Sequence, residues 1–250
     1  MTSTPSLEGR IALVTGAARR VGAEIATQLH AAGADVGIHF RTSGEDATHL
    51  VAHLNGLRTD SATAFQADLL DTASLPELIA AVVDWRGGLD ILVNNASTFY
   101  PTPLGEITEA DWDDLVGSNF KAPLFLSQGA APSLRERRGS IVNIVDSHAL
   151  RPLRDHLVYG PAKAGLAMVT RALAKELAPE VRVNGVSPGA ILWPESEMSE
   201  TAKASILEQV PLARPGDPAD IAGCLLYLVR DATYVTGQIL AVDGGRSIGW

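Results

Sequence analysis

The run IALVTGAARRVGAEIATQLHAAG, residues 11–33, decides the architecture. It opens on four apolar residues that read as a strand, and its second half, GAEIATQLHAAG, carries its apolar residues at a helical period. Between them Gly16 stands where the chain must turn, and Gly22 where a helix must meet the sheet closely. A strand that turns directly into a helix presents backbone N–H groups and the positive helix end to a pyrophosphate. A glycine pattern alone is weak evidence, but strand, turn and helix together make this a dinucleotide loop.

Six further short apolar runs follow: ADVGIHF near 34, TAFQAD near 63, DILVNN near 90, SIVNIV near 140, VRVNGV near 181 and QILAVD near 238. Ala- and Leu-rich stretches with helical period separate them. Strands alternating with helices at this spacing require crossover connections and a mostly parallel sheet covered on both faces. The expected fold is therefore α/β, a single Rossmann-type, doubly wound, seven-stranded parallel sheet with helices on both faces, formed by one domain spanning 1–250. No repeat, low-complexity block or linker interrupts it. Residues 1–8 are expected to be a flexible N-terminus. Two segments rich in proline and polar residues, STFYPTPLGEITEAD from 97 and SPGAILWPESEMSE from 187, follow strands at their carboxyl ends, where such sheets bind ligands. They are candidate substrate loops, the second extending over 190–210.

The 250 residues are 46% hydrophobic and 5% aromatic with a formal net charge of −9. That balance argues against nucleic acid or an anionic membrane as partner, since both attract clustered lysine and arginine. The single cysteine, Cys224, excludes an intramolecular disulfide and reads as core filler. No window reaches the roughly 18 to 20 apolar residues of a membrane span, and a cytoplasmic location is expected. Glu45, His49 and His53 recur at four-residue steps, but without a further ligand they read as a solvated helix face, and no metal site is expected.

The chemistry gathers in VDSHALRPLRDHLVYGPAK, residues 145–163, where Tyr159 and Lys163 lie four apart and Asp146 thirteen before the tyrosine. Residues four apart share a helix face. An ammonium beside a phenol favours phenolate and is expected to draw its pKa of ~10 toward working pH, where general acid catalysis is effective. At the end of the second strand, IHFRTS offers Arg41 and Ser43 and no acid, which suits a 2′-phosphate and favours NADPH over NADH.

Across essentially the whole chain these motifs, with LVNNAS, SNF, RVNGVSPG and the final VDGG, resemble the short-chain dehydrogenase/reductase family. The resemblance implies that Tyr159 donates a proton, that Lys163 holds the nicotinamide ribose, and that Asn119 anchors a helix bend and a water relay. It implies cofactor contacts at Thr15, Gly16, Arg20, Val21 and Gly22 in the first loop, and at His39, Arg41 and Ser43 after the second strand. Asp68 and Leu69, Asn95, Ala96 and Ser97, and Pro188, Gly189 and Ile191 complete them, with Tyr159 and Lys163. Two positions depart from the common pattern. Arg20 occupies the middle glycine of the loop, either facing phosphate or solvated on its helix. Asp146 stands where most relatives carry serine.

Serine suffices to polarise a carbonyl, whereas reduction of C=N requires a proton for nitrogen, which an ionisable acid can supply. Half-protonation near neutral pH requires a rise of about 3 units, so the carboxyl is expected to share a proton with Tyr159. Together with NNASTFYPTPL, these departures resemble the pteridine reductase group. That likeness implies a pterin or folate ring stacked on Phe99, with Ser97 on its polar edge and Arg20 touching substrate and phosphate. Asp146 and Tyr159 would face the ring and Trp193 would wall the pocket. The alternative for Phe99 is packing on its own domain. Alternatives for the protein are a carbonyl or 3-oxoacyl reductase and, in another class, a nucleotide-sensing protein without turnover. Family members usually form tetramers through the helix carrying the tyrosine and its predecessor, so a homotetramer is expected.

Overall fold

A computed structural model describes residues 6–193 and 199–248. Its strands are β1 (Ile11–Val14), β2 (Asp35–Phe40), β3 (Ala62–Gln66), β4 (Ile91–Asn94), β5 (Ser140–Ile144), β6 (Arg182–Pro188) and β7 (Ile239–Val242). All seven expected runs form strands of one sheet, ordered β3-β2-β1-β4-β5-β6-β7, and every pairing is parallel. The helices are α1 (Arg20–Ala31), α2 (Gly44–Leu57), α3 (Leu75–Arg86), α4 (Glu109–Val116), α5 (Ala122–Arg137), α6 (Tyr159–Glu176), α7 (Glu200–Leu207) and α8 (Pro218–Arg230).

The apolar character of β1 follows from burial on both faces, since side chains alternate across a strand. Ala12 and Val14 join Ile25 and Leu29 of α1 and Ile221, Leu225 and Leu228 of α8 in one core layer. Ile11 and Leu13 join Leu78 and Val82 of α3 and Leu126 and Leu134 of α5 in the other. Strand order reverses between β1 and β4, with Val14 level with Ile38 on one side and Val93 on the other. Loops leaving β1 and β4 must therefore diverge, and a crevice opens at their carboxyl ends.

Two local features shape that end of the sheet. Thr108 and Asp111 form a reciprocal capping box that starts α4. Between α4 and α5 the backbone widens into a π-helical segment, Gly117–Lys121, a distortion common at functional sites. Its Phe120 lies against Gly165 of α6, where a Cβ would come within 3.2 Å of the ring. Gly165 thus lets the distorted segment sit directly on the helix that carries Tyr159.

The expected flexible start at 1–8 does not hold at Leu7, which is buried and donates its N–H to the Ala32 carbonyl at 2.9 Å; residues 1–5 lie outside the described residues. Of the loop expected over 190–210, residues 194–198 also lie outside them, and 200–207 form α7.

Candidate active site

The crevice is built first by side chains that tie its two loops together. Thr15, buried at the end of β1, accepts from the N–H groups of Asn95 and Ala96 at 2.9 and 3.0 Å. Asn95 answers by donating its side-chain amide to the carbonyls of Thr15 and Gly16. Both side chains are thus committed to holding the loops after β1 and β4 in register. Gly16 has φ +59°, a conformation that favours glycine. A Cβ at Gly22 would stand 2.3 Å from the Gly16 carbonyl oxygen, so only glycine lets α1 begin this close to the turn.

A cavity of about 370 Å³ follows. Of the expected contacts, Gly16, Arg20, Val21 and Gly22 come from the first loop, His39, Arg41 and Ser43 from the end of β2 and the turn after it, and Asp68, Leu69, Asn95, Ala96 and Ser97 line it as well. Thr98 and Ser118, which the sequence reading omitted, also line it. Of the expected cofactor contacts, Thr15, Tyr159, Lys163, Pro188, Gly189 and Ile191 do not belong to its lining, and the Ile191 side chain turns into the core layer beside α8.

His39, which lines the cavity, is fixed through both its ring nitrogens. Its Nδ1 accepts from the Gly16 N–H at 3.1 Å, so its Nε2 carries the proton and donates to the Ala67 carbonyl at 3.2 Å. Burial pushes its pKa down to about 4, against weaker upward effects of the Ala67 carbonyl and Asp68. The neutral ring is therefore a clamp between β2, β3 and the glycine loop, and one loop N–H is occupied within the protein. Arg20 adopts φ +56°, the backbone conformation the missing glycine would supply freely. Its guanidinium donates to the Trp193 carbonyl at 3.3 Å, joining the first loop to the segment after β6.

The catalytic set lies where α6 begins. Asp146 follows β5 in extended backbone and caps the 3₁₀ turn Ser147–Ala149. One carboxylate oxygen, Oδ1, accepts from the His148 N–H at 2.8 Å, and the other accepts from the Tyr159 hydroxyl at 2.7 Å. Lys163, one turn below the tyrosine, is 2% exposed and donates to the Ile144 carbonyl at 2.9 Å. Its Nζ lies 5.8 Å from the Tyr159 ring centroid. Burial lowers the Lys163 pKa from 10.5 to about 8, partly offset by the Asp146 charge.

One electrostatic expectation is overturned. The Tyr159 phenol is held well above its ordinary value, first by burial, then by the charge of Asp146 and its hydrogen bond, with Ser97 acting weakly the other way. Burial and a carboxylate in contact both disfavour phenolate, so the pair keeps its proton.

Asn119 is fully buried in the π-helical segment. It donates to the carbonyls of Thr98 and Leu115 at 2.9 and 3.0 Å and accepts from the Ser97 hydroxyl at 2.6 Å. It anchors the loop after β4, and that loop carries Phe99 to the phenol: the two rings meet edge to face, centroids 4.8 Å apart at 78°. Phe99 remains 52% exposed. His156 stacks on it at 4.6 Å and 20°; the sequence signalled this residue only by its place between Asp146 and Tyr159. Elsewhere, Glu45, His49 and His53 are all exposed on α2. Among the described residues no group of three His, Cys, Asp or Glu is placed to hold a metal ion, and no helix is long and apolar enough to cross a membrane.

Comparison with known proteins gives three kinds of likeness. A family described as enoyl-(acyl carrier protein) reductase matches residues 16–247. Pteridine reductase 1 of Leishmania tarentolae is 39% identical over 290 residues, covering 99% of each chain. The 3-oxoacyl-(acyl-carrier-protein) reductase of Staphylococcus aureus is 37% identical over 238 residues, covering 94% of this chain and 96% of the relative. Its counterpart in Thermotoga maritima is 35% identical, covering 97% and 99%. Among solved structures, a blue fluorescent protein from a metagenomic library, in complex with NADPH, superposes with a TM-score of 0.91 at 34% identity, covering 96% of this chain and 99% of that one.

Proposed function

This chain belongs to the short-chain dehydrogenase/reductase family, and on that premise we propose that it reduces a C=N bond of a pterin or dihydropterin ring, folates included, using NADPH. The observation that carries the reading is the 2.7 Å contact between Tyr159 and a carboxylate, at a position where carbonyl reduction requires only a hydroxyl. The likeness to a pteridine reductase over nearly the full length of both chains supports it.

The residues present fit the cofactor. Gly16 and Gly22 let α1 begin tight against the turn, where a Cβ would meet protein atoms at 3.0 and 2.3 Å, so the start of the helix stands at the cavity wall; Arg41 and Ser43 line the β2 end of the cavity, where a 2′-phosphate would meet a cation rather than an acid. Arg20 would lie beside the phosphates, the chain around Asn95–Ser97 along the nicotinamide, and Lys163 at its ribose. When bound, NADPH supplies the hydride.

The protein's own contribution is a positioned proton. Exposure rises outward from Lys163 at 2% through Tyr159 at 4% to a half-buried Asp146. The pair shares one proton at the phenol. Handing it to a ring nitrogen leaves a second negative charge, which the Lys163 ammonium offsets. The outermost member, Asp146, takes up the replacement proton from solvent. Ser97, already oriented by Asn119, keeps hydroxyl lone pairs for the substrate's polar edge, and the open face of Phe99 receives the ring plane.

The 3-oxoacyl reductases at 37% and 35% identity support a second reading, reduction of a carbonyl on an acyl thioester. Steady-state oxidation of NADPH with biopterin, dihydrobiopterin, dihydromonapterin, dihydrofolate and acetoacetyl-CoA separates the two. Turnover of the thioester alone overturns the pteridine reading. Exposed Phe125 on α5 and Met168 on α6 support a homo-oligomer joined through those helices.

A further inference from the structure

Two rings stand in series beside the phenol, Phe99 and then His156, and the outer one has no assigned role. His156 is fixed from several directions. Its Nδ1 meets the Arg154 carbonyl at 2.8 Å, and since a carbonyl can only accept, that nitrogen carries the proton. Its own carbonyl accepts from the Gly160 N–H at 3.2 Å, in the first turn of α6. Residues 102 and 156 pair as an isolated parallel bridge, reinforced by the Val158 N–H donating to Thr102 Oγ1 at 3.3 Å. The imidazole is thus tied to the same backbone frame as Tyr159.

Phe99 lies on this frame stacked with the imidazole at 4.6 Å and near-perpendicular to the Tyr159 ring at 4.8 Å. The ring nonetheless remains 52% exposed. Meanwhile His156 Nε2 is buried without a partner. A buried polar atom left unpaired is unfavourable for the fold; a phenyl ring would cover Phe99 without that penalty. What the frame presents to Phe99 is therefore a flat ring at a fixed tilt, and not a bond at Nε2.

We propose that His156 is a specificity-determining positioning residue: its imidazole fixes the plane of Phe99, so that a flat heteroaromatic substrate binds as the third layer of a His156–Phe99–substrate stack. This inference rests on the pteridine reading. Offset stacking rewards a planar ring at a defined tilt and gives an extended acyl chain little. A wall whose tilt is set by a second ring therefore selects for ring substrates before the Asp146–Tyr159 pair acts.

The test uses His156→Leu, which keeps bulk without a plane, and His156→Phe, which keeps the plane without the nitrogen. Dihydrobiopterin binding to the NADP⁺-loaded enzyme, NADPH binding, and KM and kcat are measured for each. The leucine variant is expected to raise the dihydrobiopterin Kd and KM about 3- to 10-fold, with kcat and NADPH affinity within about twofold of wild type. The phenylalanine variant should bind dihydrobiopterin as wild type does. Leucine binding as tightly as wild type overturns the inference, as does phenylalanine failing as leucine does, which would assign the role to Nε2. A wild-type enzyme that neither binds nor reduces dihydrobiopterin overturns the pteridine reading and this inference with it.

Discussion

Replacing Asp146 by serine separates the two duties of its carboxylate. One oxygen caps the 3₁₀ turn through the His148 N–H at 2.8 Å, and a serine hydroxyl can take over that bond, so the cap loses at most about 1 kcal/mol. For a 250-residue chain that corresponds to a melting shift of roughly 2–4 °C. The other oxygen accepts the phenol at 2.7 Å, and serine replaces neither its charge nor its capacity to hold a proton. General acid catalysis contributes on the order of 10²- to 10⁴-fold, so kcat for dihydropterin should fall by that factor, about 3–5 kcal/mol in barrier. With the carboxylate gone, the second and third causes that hold the Tyr159 phenol high disappear. Its pKa must move down, and residual activity should lose its alkaline limb at lower pH than in wild type. NADPH affinity, measured by fluorescence titration, should change by less than about twofold, because both Asp146 carboxylate oxygens are committed within the protein, to the His148 N–H and the Tyr159 hydroxyl. A serine variant that reduces dihydropterin within threefold of wild type would refute the assignment. So would one whose entire loss is explained by weakened NADPH binding.

Two further outcomes follow from the geometry. Lys163 has its folded pKa lowered from 10.5 to about 8, so between those values the unfolded chain binds more protons and stability rises with pH. Below pH 8 the full penalty stands, about 3 kcal/mol. Lys163→Met should therefore abolish turnover yet stabilise the fold at pH 7 by up to that amount, with most of the gain gone by pH 10. Denaturant titrations at both values check this, and an equal gain at each contradicts it. Arg20 holds φ +56°, where a Cβ is strained by roughly 1–2 kcal/mol. Arg20→Gly should accordingly be more stable than Arg20→Ala by about 1 kcal/mol, reversing the order normal for a helix start, while both weaken NADPH binding. Finding alanine the more stable of the two in thermal unfolding removes the strain argument.

The sheet was legible in residues 11–33 and the six later apolar runs because a strand buried on both faces must be apolar throughout, whatever lies beside it. Gly16 and Gly22 were legible for the same kind of reason. A left-handed turn favours glycine at Gly16, and a 2.3 Å approach at Gly22 leaves no space for a side chain, so the local sequence carries the geometry. The spacing of Tyr159 and Lys163 placed them on one helix face without reference to the rest of the molecule.

Roles that depend on contacts between distant segments were not legible in that way. His39 lines the cavity, but that Gly16 and Ala67 occupy both its nitrogens is visible only in the fold. Thr15 looks like a ligand contact until its hydroxyl is found holding the backbone after β4. The direction of the Tyr159 shift was misjudged from the sequence because a four-residue spacing suggests an ammonium neighbour. The contact between the phenol and the carboxylate thirteen residues earlier was expected, but only the packed structure shows how deeply the phenol is buried, which is the first cause that holds its proton. His156 gained a role only when folding laid it against Phe99. Chain order alone determined the strands, the turn and the helix face, because short-range sterics and burial act within a few residues. Tertiary structure decided which polar atoms are satisfied and which way charges push, because those depend on distances between atoms that the sequence keeps far apart.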